Sequence, residues 1–236
     1  MHGFLELLRA AAVFVAFLAA RFALLLIVLA ALTVVFLAGL AVVRLAGLVR
    51  RRAMGLSRVG GLSWRPGVFY APGHSWLQDS GGGRLRVGLD DLAQHVLSRV
   101  TAVVLPEVGR SFRAGDPIAV IRAGRRQALI PAPVAGRVVA VNRGVARHPA
   151  RLHADPYARG WLYAIQPEGD SYRRLPAGEG SRQWFSSEAS RFSQFIEHQL
   201  GLAAADGGEL VAPGPSLLTD GQWHLMVESF LQGSDT

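Results

Sequence analysis

One segment near the start of the chain is apolar enough to constrain the arrangement of the rest. From Phe22 to Val43 the 22 residues carry no charge, and Thr33 has the only polar side chain among them. As an α-helix this segment is roughly 33 Å long, which matches the hydrocarbon core of a bilayer. Arg44 follows it, where a cleaved signal peptide would have small residues. The pattern predicts a transmembrane helix at about 22–43, within an anchor formed by residues 1–52.

The residues before this segment leave two arrangements open. Residues 4–20 are apolar apart from Glu6 and Arg9, and Arg21 separates them from the span. One arrangement is a single spanning helix preceded by an interfacial or tilted helix. The other is a two-helix hairpin with Arg21 at its tip. No Gly, Pro or Asn lies near Arg21 to form a turn, which favours a single pass over two.

The distribution of arginine around the span predicts its orientation. Two arginines precede the span, whereas six follow it: Arg44, Arg50, Arg51, Arg52, Arg58 and Arg65. Positively charged flanks stay on the cytoplasmic side of a membrane. We therefore expect a protein of the cell inner membrane whose C-terminal domain is cytoplasmic, with the lipid bilayer as one of its partners.

All basic side chains of this chain, histidine aside, are guanidinium groups. The sequence contains 25 Arg, no Lys and no Cys. It therefore has no side-chain amine for a Schiff base, for biotin or for lipoate, and no thiolate for a metal or a disulfide. The histidines show no metal-ligand spacing, and no phosphate loop, nucleophile elbow or nucleic-acid recognition motif is present. We expect no enzyme activity, no metal and no binding to nucleic acid.

The remainder of the chain divides by composition. Residues 53–67 are rich in Gly and Pro and predict a linker. After them come short β-type runs that Gly and Pro separate, which is typical of an all-β barrel or sandwich. One helix is expected among these runs, over Asp90–Leu97 with an aspartate as its cap.

Residues 171–236 predict a helical C-terminal extension. Thr219 and Gln222 form a capping box at the start of its last helix. The extension carries aromatic side chains at helical spacing, namely Trp184, Phe192, Phe195, Trp223 and Phe230. Two interpretations remain open: these side chains pack on the β domain or on each other, or they are anchors that dock a partner subunit.

Short motifs between Tyr70 and Pro167 occur in the same order as in a known protein family. The motifs include Leu105–Pro106–Glu107–Val108–Gly109, Ala132–Pro133–Val134–Ala135–Gly136, Asp155–Pro156–Tyr157 and Gly160–Trp161–Leu162. In this order and spacing they resemble the H protein of the glycine cleavage system, with Ser75 where that family usually has Glu. The resemblance implies a barrel-sandwich hybrid related to lipoyl and biotinyl domains. We assign it to residues 68–170, so the predicted fold is mainly β with a helix-rich segment at each end.

The resemblance also implies where the family's chemistry would lie. In H proteins a hairpin before the Ala-Pro-Val motif presents the lysine that carries lipoate. The matching lysine position here is Arg125, and Arg122 stands where the family has a glutamate. A guanidinium group keeps its proton and cannot form the lipoyl amide. We therefore expect no lipoyl cofactor, and the hairpin with Arg122, Arg125 and Arg126 is either a cationic docking tip or a tip that has lost its function.

These observations predict a non-catalytic, membrane-anchored subunit that acts as a scaffold or docking module in a membrane protein complex. Two alternatives remain. One is a periplasmic adaptor of a transport system, which also has a lipoyl-like domain after an anchor. Such adaptors carry a long helical hairpin within that domain, and the sequence shows none. The other is a vestigial relative of the glycine cleavage carrier without carrier activity.

Overall fold

The computed structural model describes residues 2–53, 55–201, 205–206, 209–210 and 217–232. The chain forms two units, Met1–Met54 and Gly55–Thr236. The first unit is a single helix, α1 (His2–Ala53), and its segment Val13–Gly47 is long and apolar enough to cross a membrane. α1 continues through Arg21 without a turn, which argues against the two-helix hairpin. The hydroxyl of Thr33 donates to the Leu29 carbonyl at 2.8 Å, so this polar group is satisfied within the helix.

The second unit is rich in short antiparallel strands. Its strands are β1 (Ser57–Val59), β2 (Leu62–Trp64), β3 (Phe69–Ala71), β4 (Ser75–Asp79), β5 (Leu85–Leu89), β6 (Ala102–Val104), β7 (Ser111–Phe112), β8 (Pro117–Ala123), β9 (Arg126–Pro131), β10 (Gly136–Val141), β11 (Tyr163–Pro167), β12 (Ala205–Asp206) and β13 (Glu209–Leu210). Its helices are α2 (Asp91–Leu97), α3 (Arg143–Arg147), α4 (Arg151–Ala154), α5 (Gly178–Leu200) and α6 (Asp220–Leu231), with a 3₁₀ turn at Ser171–Arg174.

Two sheets form the framework of this unit. A six-stranded sheet has the order β3-β4-β5-β11-β10-β7, and a three-stranded sheet has the order β6-β8-β9. Alternation along the strands explains the layering: Ile121 of β8 is buried, whereas the next residue, Arg122, is exposed. The buried faces of the strands form one hydrophobic core together with α2 and the C-terminal helices. The prediction of a sheet-rich domain with an apolar N-terminal helix and C-terminal helices is confirmed.

The predicted linker is partly wrong, because β1 and β2 form a hairpin within residues 53–67. Gly60 and Gly61 both have positive φ and form the two-residue turn of this hairpin. Leu62 and Trp64 are buried, and the Trp64 indole donates to Ser181 Oγ at 3.1 Å. Gly60 and Gly61 therefore mark a tight turn of the domain.

The helices at the C-terminal end pack into the core. α5 buries Phe185, Ala189, Phe192 and Ile196, and α6 buries Trp223, Met226, Val227, Phe230 and Leu231. Thr219 Oγ1 accepts from the Gln222 amide, and the Gln222 side chain accepts from the Thr219 amide, so the predicted capping box is present. The predicted aspartate cap of α2 is also present, and the capping residue is Asp90, whose side chain accepts from Ala93 N.

Candidate functional site

The hairpin between β8 and β9 is tight and well supported. Ala123 pairs with Arg126, so Gly124 and Arg125 form a two-residue turn. Gly124 has a φ of +66°, which favours glycine, and its amide donates to Thr101 Oγ1 at 3.1 Å. The Thr101 hydroxyl donates to the Arg122 carbonyl at 3.1 Å, so the residue before β6 braces the turn. Arg125 is exposed at the outermost point of this hairpin.

The three arginines of the hairpin have different surroundings. Arg122 and Arg125 are exposed, whereas the Arg126 side chain is only 16% exposed. Arg126 Nε donates to Asp220 Oδ1 at 2.8 Å, and Nη2 donates to the Leu218 carbonyl at 2.6 Å. Its guanidinium carbon also lies 5.8 Å from the centre of the Trp223 ring. Arg126 therefore binds the start of α6, and of the three arginines in the predicted docking tip only Arg122 and Arg125 are exposed.

A groove of about 440 Å³ lies beside the tip of this hairpin. The end of α2, the hairpin and the start of α6 form its walls. Leu97, Ala123 and Trp223 contribute apolar surface, and Arg99 and Arg125 contribute positive charge. Asp220 also lines the groove, and its carboxylate is bound to Arg126.

The residues of the hairpin do not fit a covalently attached lipoyl group. An amide bond to lipoate requires an amine that can lose its proton, and the turn offers only the guanidinium group of Arg125. The sequence has no Lys at any position that could replace it. The backbone of the hairpin is intact, so the mismatch with a lipoyl group lies in its side chains.

Comparison with known proteins decides the family. A family model described as "Glycine cleavage H-protein" matches residues 68–183. The chain is similar to the glycine cleavage system H protein of Thermus thermophilus, with 39% identity over 123 residues, which are 51% of this chain and 94% of that protein. The chain belongs to the glycine cleavage H-protein family. It is also similar to the H protein of Deinococcus deserti, with 40% identity over 97 residues, 41% of this chain and 78% of that protein.

A solved structure is also similar to this chain. The crystal structure of a glycine cleavage system H protein from Mycobacterium marinum matches with a TM-score of 0.46 and 28% identity. The match covers 52% of this chain and 99% of that structure. The residues matched by the family model, 68–183, include neither α1 nor α6. This chain therefore combines an H-protein-like domain with further segments at both ends.

The aromatic residues of the C-terminal helices lie inside the domain. Phe192, Trp223 and Phe230 are buried, and Trp184 and Phe195 are partly buried against the core. The Phe192 and Phe230 rings meet edge to face at 5.2 Å, and Phe195 contacts Phe230 at 5.4 Å in the same way. Of the two interpretations left open by the sequence, the structure agrees with packing on the β domain and on each other.

Sequence reasoning missed a buried charged cluster around His74. The His74 ring is 1% exposed; its Nδ1 lies 2.9 Å from Asp90 Oδ2, and its Nε2 lies 3.2 Å from Glu188 Oε2. Burial alone would lower the pKa of His74, but the two carboxylates outweigh burial and raise the pKa to about 9. Glu188 lies 114 residues after His74 in the sequence. The one sequence signal for this contact is that a carboxylate falls beside the apolar stripe of α5.

Proposed function

We propose that this chain is a membrane-anchored, non-catalytic H-protein-like subunit that is not lipoylated and that docks a protein partner in a membrane complex. The observation that carries the proposal is the hairpin of β8 and β9. Its turn, bracing hydrogen bonds and surrounding core are intact, while Arg125 occupies the position that the family uses for the lipoyl lysine. Because the fold is retained and the attachment chemistry is absent, the domain would act by binding a partner through its surface.

The exposed arginines support a partner with acidic groups. Arg122 and Arg125 are both exposed and three residues apart on the same hairpin. Neither makes an ion pair with an acidic residue in the part of the chain that the structure describes. Guanidinium groups bind carboxylates through two parallel hydrogen bonds, which gives such contacts both strength and orientation. An acidic surface on the partner is therefore the best match for this hairpin.

The anchor is supported by the length and composition of α1. Its segment Val13–Gly47 has a mean hydropathy of 3.0, and none of the side chains described there is buried. A soluble protein would bury so apolar a helix, whereas a bilayer would surround it. The arginines from Arg44 to Arg65 place the H-protein-like domain on the cytoplasmic side in this proposal.

The structure bears on one alternative function. A periplasmic adaptor would carry a long helical hairpin inserted within its lipoyl-like domain. Here only the two-residue turn of Gly124 and Arg125 joins β8 to β9. No helical hairpin interrupts residues 68–170, all of which the structure describes. A docking subunit therefore agrees better with the domain than an adaptor does.

The test is co-purification of the partner from solubilised membranes. The full-length tagged chain is purified in mild detergent, and bound proteins are identified and quantified. Reversing two charges in the Arg122→Glu/Arg125→Glu variant is expected to reduce partner recovery at least tenfold. The matched control is Arg84→Glu/Arg113→Glu, which reverses two exposed arginines on other turns of the domain. A wild-type chain that purifies alone, or equal recovery with both variants, would overturn the proposal.

A further inference from the structure

The outer face of the three-stranded sheet β6–β8–β9 carries a row of apolar side chains. Val104 pairs with Val120, and Val120 pairs with Leu129, so the three lie side by side across the strands. Val104 and Leu129 are each 45% exposed, and Val120 is half-buried. The row lies along a groove of about 490 Å³. We call Val104, Val120 and Leu129, together with the groove beside them, the apolar row.

The opposite face of the same strands already forms core. Val103, Ile121 and Ala128 alternate with the residues of the apolar row and are buried. An antiparallel sheet with one buried face normally presents polar residues on the other face. Here the centre of the outer face is apolar as well. Exposed apolar surface of this kind is typical of an interaction site.

Charge lies directly beside the apolar row. The next outward-facing position of β8 is Arg122, which is flanked by Ala102 and Gln127 on the neighbouring strands. Two residues along a strand span about 7 Å, so Arg122 and Leu129 can contact the same segment of a partner. At the other end of the groove, Arg110 Nη2 donates to the Pro117 carbonyl at 3.4 Å, and Glu107 also lines the groove.

Helices contact both outer strands of this sheet, α6 at β9 and α3 at β6. The side chains of Val104 and Leu129 in the apolar row remain exposed on the outer face of the sheet. A partner can therefore reach this face through side-chain contacts.

We propose that the apolar row and Arg122 together dock a protein segment that carries apolar side chains beside carboxylates. This inference rests on the proposed function and names the surface that would perform it. The apolar residues would exclude water at the centre of the contact, and the guanidinium group of Arg122 would orient the segment at one side.

Charge complementarity favours this occupant over an anionic membrane surface. A bilayer of anionic lipids would attract Arg122 but repel Glu107 at the far end of the groove. A protein segment can place a carboxylate beside Arg122 and a neutral or basic group beside Glu107. A second copy of this chain is an outcome that the crosslinking experiment below distinguishes.

The experiment changes the apolar row without changing the arginines. Leu129→Asp is compared with Leu225→Asp in the full-length chain, because Leu225 is 44% exposed on α6 and so matches Leu129. Both variants should melt within a few degrees of the wild type, since both side chains are exposed. Leu129→Asp is expected to reduce partner recovery at least tenfold, whereas Leu225→Asp is expected to leave it unchanged.

Site-specific crosslinking identifies the occupant. The chain has no Cys, so Val104→Cys and Leu225→Cys each offer a single attachment point for a photo-crosslinker. Val104→Cys should crosslink to a segment rich in Asp or Glu. A synthetic peptide of that segment should bind the wild-type chain and bind Arg122→Glu at least tenfold more weakly.

Several outcomes would overturn this inference. Full partner recovery with Leu129→Asp would show that docking uses another surface, while the proposed function would stand if charge reversal at Arg122 and Arg125 still abolished recovery. Crosslinks to a second copy, to lipid, or to a segment without carboxylates would each overturn the named occupant. A wild-type chain that purifies alone would overturn the inference and the proposed function together.

Discussion

Nε2 of His74 lies 3.2 Å from Oε2 of Glu188, and this contact joins the β domain to α5. The same imidazole binds Asp90, the residue that caps α2. Glu188 also accepts a hydrogen bond from Arg191 Nε at 3.1 Å. The C-terminal helices are therefore bound to the domain through a buried charged cluster as well as through apolar packing.

The first prediction concerns the pH dependence of stability. Because the pKa of His74 is raised from 6.5 to about 9, its protonated form stabilises the folded state. This contribution is complete below pH 6.5 and is lost as the pH rises through about 9. We expect the free energy of unfolding to fall on the order of 3 kcal/mol across that window. Denaturant titrations followed by tryptophan fluorescence at a series of pH values measure it.

Substitution at Glu188 separates this cluster from other titrating groups. Glu188→Gln removes one of the two carboxylates that raise the pKa of His74, so the fall in stability should become smaller and end at a lower pH. Glu179→Gln is the control, because Glu179 lies on the same helix and is 83% exposed. Identical pH profiles for wild type and Glu188→Gln would contradict the assignment of His74 as the titrating group.

The second prediction concerns α6 as part of the core. Trp223→Ala should cost about 3–5 kcal/mol of stability, because the buried ring is replaced by a cavity and Arg126 loses a stacking partner. Leu225→Ala, two residues away on the exposed side of α6, should cost much less. Equal melting temperatures for the two variants would show that α6 is not packed on the domain in solution.

The third prediction concerns membrane topology. A reporter that is active only in the cytoplasm, fused after Thr236, should give signal because six arginines follow the apolar segment and two precede it. A reporter that is active only outside the cytoplasm should stay silent at the same position. The opposite pattern would reverse the orientation and would favour the adaptor alternative.

The features that were predictable from sequence are local ones. The apolar run of α1, the Asp90 cap of α2 and the capping box at Thr219 each depend on residues a few positions apart, and each is present in the structure. The order of the motifs from Tyr70 onward identified the family for the same reason. Spacing along the chain was sufficient for these features, since no distant partner decides them.

The features that sequence reasoning missed depend on distant contacts. An apolar stripe on α6 shows that one face is buried, but it does not show that the covering surface belongs to the same chain. Arg126 looks like a free tip residue until Asp220, 94 positions later, is placed beside it. The glycines before Trp64 are compatible with either a linker or a hairpin turn, and burial of Leu62 and Trp64 decides for the hairpin.

The fourth prediction restores a lysine at the tip of the hairpin. Arg122→Glu/Arg125→Lys restores the family's glutamate and lysine at the two charged positions of the hairpin, so a lipoate ligase supplied in the same cells should attach one lipoyl group. Arg126→Lys is the control, because that position faces Asp220 and not solvent. Modification of Arg126→Lys instead of the double variant would show that the lysine position is misassigned.

We infer that this chain keeps the H-protein fold without its carrier chemistry. Intact mass spectrometry tests this on the wild-type chain purified from cells that contain active lipoylation enzymes, with the Arg122→Glu/Arg125→Lys variant measured beside it. The wild-type chain should have the mass of the unmodified polypeptide. A lipoyl, octanoyl or biotinyl adduct on the wild-type chain would show that it can still act as a carrier.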